Sequence, residues 1–116
     1  MQKFEKLIIW NKSLILIQSI YDLCKKLPAS EKGNIVDQIK RATVSISLNI
    51  AEGSGSENDK EFKRFLHIAK KSLFEVIATL KIINFLYKID ITEQINLTDE
   101  VGKLINSFIN KLKSNS

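Results

Sequence analysis

Residues 45–62 read SISLNIAEGSGSENDKEF. An isoleucine-bearing stretch carries Ser45, Asn49 and Glu52, breaks into Gly-Ser-Gly-Ser, and restarts on acidic residues. A phosphate-cradling loop would need its glycines between a strand and a helix, with Lys then Ser or Thr after the last glycine. Here the glycines follow a helical pattern, and Gly55 leads into Ser56-Glu57-Asn58-Asp59-Lys60-Glu61. Asn58 with Glu61 three residues on is a helix N-cap signature, and acids in a first turn suit the helix dipole. Gly53 reads as a left-handed C-cap for the helix before it. The stretch is the turn of a helical hairpin.

Working outward, the arm before the turn repeats Ile35, Ile39, Ala42, Ile46 and Ile50, and the arm after it repeats Phe62, Phe65, Ala69, Leu73, Val76, Leu80, Ile83 and Tyr87. Steps of three and four residues are those of amphipathic helices. Leu7, Trp10, Leu14, Ile17, Tyr21 and Cys24 give an earlier helix the same period, closed at Leu27-Pro28 because the residue before proline avoids helical geometry. Leu97, Val101, Leu104, Phe108 and Leu112 define a last helix before a polar tail expected to fray. No stretch alternates as a strand would. Helices at roughly 5–27, 31–53, 58–88 and 96–113, joined by short connections, predict an all-α, up-down-up-down antiparallel four-helix bundle, one domain over residues 1–116.

Composition agrees. A single Pro and four Gly among 116 residues leave long helices uninterrupted. Cys24 stands alone at core spacing, which excludes an internal disulfide framework, fits a reducing cytoplasm and suits a packed thiol. The opening MQKFEKLIIWNKSLILIQSI superficially resembles a signal peptide, but Asn11 and Lys12 split its apolar run and no small-residue cleavage site follows. No run is long and apolar enough for a membrane span, so a cytoplasmic protein without membrane partners is expected. The net charge of +5 comes mostly from lysine, in a chain also rich in Ile and Asn, and by itself says little about an anionic partner.

Arg41, Ser45, Asn49 and Glu52 form one stripe along the second helix. On an antiparallel neighbour, facing positions keep a constant index sum, and Arg41 with Glu75 and Glu52 with Arg64 both give 116. Two ion pairs are therefore expected to fix the register, using the chain's two arginines, whose planar forks suit carboxylates. The stripe reads as a structural polar network of Arg41, Ser45, Asn49, Glu52 and Glu75. It lacks the metal-ligand set or converging carboxylates of a catalytic site.

With Gln38, Arg41-Ala42, Ser45-Ile46 and Asn49-Ile50-Ala51-Glu52-Gly53 on one arm, and Phe62, Phe65-Leu66, Ile68-Ala69, Ser72-Leu73 and Glu75 on the other, the chain resembles a known family. These are the small four-helix bundle proteins encoded in intervening sequences of bacterial 23S ribosomal RNA genes, related to the accessory variability protein of diversity-generating retroelements. Trp10, Tyr21 and Leu27-Pro28 also fall in place, so the likeness spans roughly residues 7–112. Lys71 departs from it, standing where the family has glycine or another small residue. The resemblance implies a symmetric homo-oligomer, typically a pentamer, with no established enzymatic activity. For the retroelement branch it implies nucleic-acid binding beside a reverse transcriptase as protein partner.

Two surfaces follow from the residues themselves. Lys60, Lys63, Arg64, Lys70 and Lys71, with His67, share a ridge opposite the third helix's core stripe, free of acids between Glu61 and Glu75. Such a ridge can neutralise phosphates of RNA or DNA. No aromatic interleaves it, so contacts to the backbone rather than to stacked bases are expected. His67, the only histidine, has no partner at ligand spacing. No cofactor, metal or catalytic residue is expected. Further along, Phe74, Ile77, Ile82 and Phe85 flank the core stripe, as Ile9 and Leu16 do with Ile20 and Leu23 on the first helix. These are the expected oligomer interface, since a lone bundle would expose them. The combined expectation is a non-enzymatic, self-assembling bundle that binds nucleic acid, with a pure protein-interaction scaffold as the alternative and an RNA-processing enzyme as a remoter one.

Overall fold

The computed structural model describes residues 3–112. The opening Met1 and Gln2, the polar tail expected to fray and the helix end expected at residue 113 lie outside them. Four α-helices follow one another: α1 Ile8–Cys24, α2 Ile35–Ser54, α3 Asp59–Tyr87 and α4 Thr92–Lys111, with short 3-10 turns at Lys3–Lys6 and Ala29–Glu31. Among the described residues there is no strand. Each helix packs against its chain neighbour and α1 also packs against α4, which closes an up-down-up-down bundle of 46 × 24 × 19 Å. Its length is set by α3, whose 29 residues extend about 43 Å at 1.5 Å per residue.

The helix ends differ from expectation for local reasons. After Pro28 the chain turns through the 3-10 segment, so α2 begins at Ile35 rather than near residue 31. The Asp90 carboxylate accepts hydrogen bonds from the Thr92 hydroxyl (2.6 Å) and the Thr92 N–H (3.0 Å), starting α4 at Thr92 instead of residue 96. Those bonds hold the Asp90 carboxyl below its ordinary value. Asn58 accepts from the Glu61 N–H at 2.9 Å, as the N-cap signature requires.

Gly53 is not a C-cap. It lies buried inside α2, which continues through Ser54 and is capped by Gly55 in a right-handed conformation. A Cβ on Gly53 would come within 2.8 Å of the Phe62 ring and 3.0 Å of the Phe65 Cβ. Glycine is required here for the close approach of α3. The left-handed cap occurs at Lys88, with φ 56°, whose N–H returns to the Asn84 carbonyl at the end of α3.

The core face of α1 is rotated from the one expected, although Cys24 is buried and Leu7 and Trp10 pack partly against the core as the expected stripe requires. Ile9 (3% exposed), Leu16 (0%), Ile20 and Leu23 are buried in the bundle, whereas Leu14 and Tyr21 are exposed. Ile9 and Leu16 are therefore core residues, which corrects their assignment to an oligomer interface. Ser13 and Ser19 complete the buried stripe and explain the choice of face. Ser13 shares a 2.6 Å hydrogen bond with Ser47 of α2, and Ser19 donates to Glu93 and accepts from Gln94 of α4. Small hydroxyls admit neighbouring helices closely; Trp10 and Tyr21 on that face would hold them apart.

Two substitutions test this packing. Gly53→Ala, despite alanine's better helix propensity, is expected to destabilise the fold by about 1–3 kcal/mol through overpacking against Phe62 and Phe65. Lys88→Gly is expected to stabilise it by about 1 kcal/mol, by relieving a left-handed L-residue. Urea midpoints by circular dichroism read both.

Candidate nucleic-acid interface

The face of α3 opposite its buried stripe of Phe62, Leu66, Ala69, Leu73, Val76 and Leu80 changes character along its length. Its first half carries Lys60, Arg64, His67 and Lys71, all exposed, with Lys63 and Lys70 half-buried at its margin. Its second half carries Phe74 (61% exposed), Ile82 (48%) and Phe85 (72%), with Lys81 exposed among them and Lys88 Nζ 5.3 Å from the centre of the Phe85 ring, while Ile77 is half-buried against the core. The helical period produces both halves, since these positions fall where neither α2 nor α4 reaches. Lys71 is exposed, so it adds charge to a surface and leaves the packing undisturbed.

The two arginines do not make the ion pairs expected of them. Arg64 Nε donates instead to Glu61 Oε1 at 2.5 Å, one helical turn away, and its guanidinium stacks over the Phe65 ring at 4.5 Å. This bond lowers the Glu61 pKa and raises that of Arg64, to which the nearby Glu52 carboxylate also contributes. Arg41 and Glu75 are exposed and form no ion pair with each other. Water solvates both charges, and an exposed pair would gain too little to order two side chains.

The expected register nevertheless holds through different atoms. Ser45 and Ser72 share a hydrogen bond at 3.0 Å, and Asn49 Nδ2 donates to the Ser45 carbonyl at 2.8 Å and to its hydroxyl at 3.1 Å. The centre of the stripe is thus a half-buried polar clasp between α2 and α3, and its charged ends Arg41, Glu52 and Glu75 face solvent.

Because Arg64 is tied to Glu61, with Glu52 close by and Lys60 within reach of the same Glu61 carboxylate, the free positive charge of the ridge rests mainly on Lys63, Lys70 and Lys71. At the α2–α3 turn an open cleft is lined by Glu52, Glu57, Asn58 and Glu61, so the ridge ends on an acidic border. Among the described residues no group of three His, Cys, Asp or Glu side chains is placed to hold a metal ion. Sequence reasoning missed the exposed Ile8 and Ile15, two turns apart on one face of α1, Leu86, one turn beyond Ile82 on α3, and Leu48, which stands alone on α2. It also missed the lysines that gather around Tyr21, because they come from three separate segments.

These features define a four-helix bundle protein whose longest helix presents a cationic half and an apolar half to solvent. The chain belongs to the 23S rRNA-intervening sequence protein family, whose model matches residues 5–107. It is similar to a solved structure from Bacteroides thetaiotaomicron, a protein of unknown function in the S23 ribosomal protein family. The two are 28% identical with a TM-score of 0.78, over 90% of this chain and 100% of that one. No curated protein matches the sequence.

If Glu61 restrains Arg64, then Arg64→Gln should weaken binding to a polyanion less than Lys70→Gln does. Fluorescence anisotropy with a labelled RNA at low salt compares them; equal losses would show that Arg64 acts as a free cation.

Proposed function

We propose that this protein is a self-associating helical bundle that binds RNA through the phosphate backbone and carries out no chemistry of its own. The observation that carries the reading is the outward ridge of α3, where Lys60, Lys63, Lys70 and Lys71 follow one another with no acid between Glu61 and Glu75. Lysines presented on one helix face release condensed counterions when they meet phosphates, and this drives binding without regard to sequence. The family takes its description from 23S rRNA, which makes RNA the polyanion to test first. Self-association is supported by Phe74, Ile82 and Phe85, whose exposure on one helix exceeds what a soluble monomer usually leaves to water. A cyclic oligomer of copies, a pentamer by the family likeness, would bury these apolar halves and bring the cationic halves together along one rim. The reading places the protein in the cytoplasm, where its lone thiol stays reduced. Among the described residues no helix is long and apolar enough to cross a membrane.

A second reading draws on the same apolar half. Phe74 and Phe85 could dock a different protein, such as a reverse transcriptase, with the lysines serving only as a solvated face.

Two measurements test these readings. With four lysines on the ridge, the logarithm of RNA affinity should fall against the logarithm of salt with a slope no steeper than about −3 per subunit. Lys63→Glu with Lys70→Glu should then abolish measurable binding while leaving helicity intact. Absence of binding at the lowest salt would exclude the RNA reading. Light scattering at micromolar concentration should report a multiple of the subunit mass, reduced to the subunit itself by Phe74→Glu with Phe85→Glu. A wild-type monomer would leave the apolar half to a foreign partner.

A further inference from the structure

At the end of the bundle away from the α2–α3 turn, the end of α1, the connection after it and the start of α2 border an open groove of about 260 Å³. Its lining is mainly apolar, with Cys24 and Val36 buried in it and the Tyr21 ring at its edge. Lys25, Lys32 and Lys40 also line it, and no carboxylate does. Lys40 Nζ sits over the Tyr21 ring, 4.4 Å from its centre. Lys25 shares its charge with Asp22 across 3.5 Å, an exposed contact of little strength. Lys32 and Lys40 pair with no carboxylate among the described residues.

An aromatic face, an aliphatic floor and three cations around one small space together select a ligand with a flat apolar body and a multiply charged anionic group. A lone carboxylate would engage only part of that charge, and an inorganic anion would leave the apolar surface wet. We infer that this groove is a binding site for a nucleoside monophosphate: its phosphate sits between Lys32 and Lys40 and draws the Lys40 ammonium off the Tyr21 ring, and its base takes that place against the ring. Base–aromatic stacking tolerates any base, so the site discriminates little between nucleotides. The ligand can be a free nucleotide or one unit of a strand. The site lies at the opposite end of the bundle from the cationic half of α3 and does not depend on that half binding RNA.

Cys24 supplies the readout, being the only cysteine in the chain and part of the groove wall. Burial pushes its thiol above the ordinary value, opposed by the charge of Lys40. A phosphate beside Lys40 would cancel that opposition while the base covers the sulfur, so both effects slow alkylation. The rate of Cys24 reaction with neutral iodoacetamide should therefore fall saturably with uridine monophosphate at millimolar concentration. Uridine or inorganic phosphate alone should leave the rate unchanged. Tyr21→Ala, at an exposed position, should raise the half-protecting concentration about tenfold, and Lys32→Gln with Lys40→Gln should raise it similarly, with helicity unaltered. Lys63→Glu with Lys70→Glu should change nothing, which separates this site from the α3 ridge. A short oligouridylate that protects at much lower concentration identifies a strand as the source, and equal protection per nucleotide identifies the free nucleotide. Lack of protection by the monophosphate, equal protection by inorganic phosphate, or protection indifferent to Tyr21→Ala would each overturn the assignment. So would alkylation that accelerates on dilution, since a second copy would then be covering the groove.

Discussion

The contact on which the bundle turns is the one at Gly53, where the α2 backbone lies against the Phe62 ring and the Phe65 Cβ. No side chain separates the two helices at that point, so their spacing is fixed at the base of the hairpin. Phe62 in turn meets Phe108 of α4 with ring centres 5.1 Å apart, so the same contact also locates the fourth helix. Once α3 is held at this distance and rotation, its period decides the rest. Leu66, Ala69, Leu73 and Val76 enter the core, Ser72 meets Ser45, and the lysines and Phe74 are carried outward.

Away from this point, polar groups join the helices in small, satisfied sets. Ser13 with Ser47 joins α1 to α2, Ser45 with Ser72 and Asn49 joins α2 to α3, and Ser19 with Glu93 and Gln94 joins α1 to α4. Glu31 accepts a hydrogen bond from the Tyr87 hydroxyl and ties the 28–34 turn to the end of α3, which raises the phenol's pKa. Among the described residues no buried side-chain nitrogen or oxygen lacks a partner. A neutral hydrogen bond contributes about 1 kcal/mol net, while its unpaired groups would cost more than that. These clasps therefore act mainly by penalising the wrong rotation of a helix. A buried ion pair would have to overcome a much larger desolvation penalty. That difference accounts for hydroxyls and amides at the seams, with Arg41, Glu52 and Glu75 left in water.

The helices and their antiparallel order were legible because aliphatic residues recur every three or four positions through each of them. The hairpin register was legible too, although from the wrong atoms: index sums found the alignment, and serines rather than arginines realise it. The rotation of α1 was not legible. Its two apolar stripes are nearly equal in hydrophobicity, and the buried one is interrupted by Ser13 and Ser19, which a count of apolar residues scores against it. Only the presence of Ser47 and Gln94 on the neighbouring helices makes those serines good core residues. The Arg64 pairing was hidden for a related reason. Glu61, one turn away along α3, competes with Glu52 across the hairpin, and the nearer carboxylate needs less side-chain ordering to reach. Of the candidate surfaces, the cationic and apolar halves of α3 could be read from that helix alone. The groove beside Tyr21 could not, being assembled from the end of α1, the turn and the start of α2.

The division of α3 into a cationic and an apolar half bears on how weak contacts could become useful ones. Four ridge lysines on one small domain, two of them half-buried, meet few phosphates, and their attraction fades as salt screens it. Copies joined through Phe74, Ile82 and Phe85 would turn later phosphate contacts into intramolecular ones, governed by effective concentration rather than bulk concentration. The two halves adjoin, Lys71 and Phe74 being separated by less than one helical turn, and they overlap only at Lys81, which stands exposed between Phe74 and Phe85, and at Lys88 beyond them. Burying the apolar half therefore need not desolvate Lys60, Lys63, Lys70 or Lys71, whereas Lys81 would have to keep its ammonium at the rim of the interface. A reversed arrangement, with lysines scattered among the phenylalanines, would set association against anion binding, because charges trapped at an interface lose their hydration without gaining phosphates. Keeping most of the lysines apart from the phenylalanines along a single rigid helix would let both act at once.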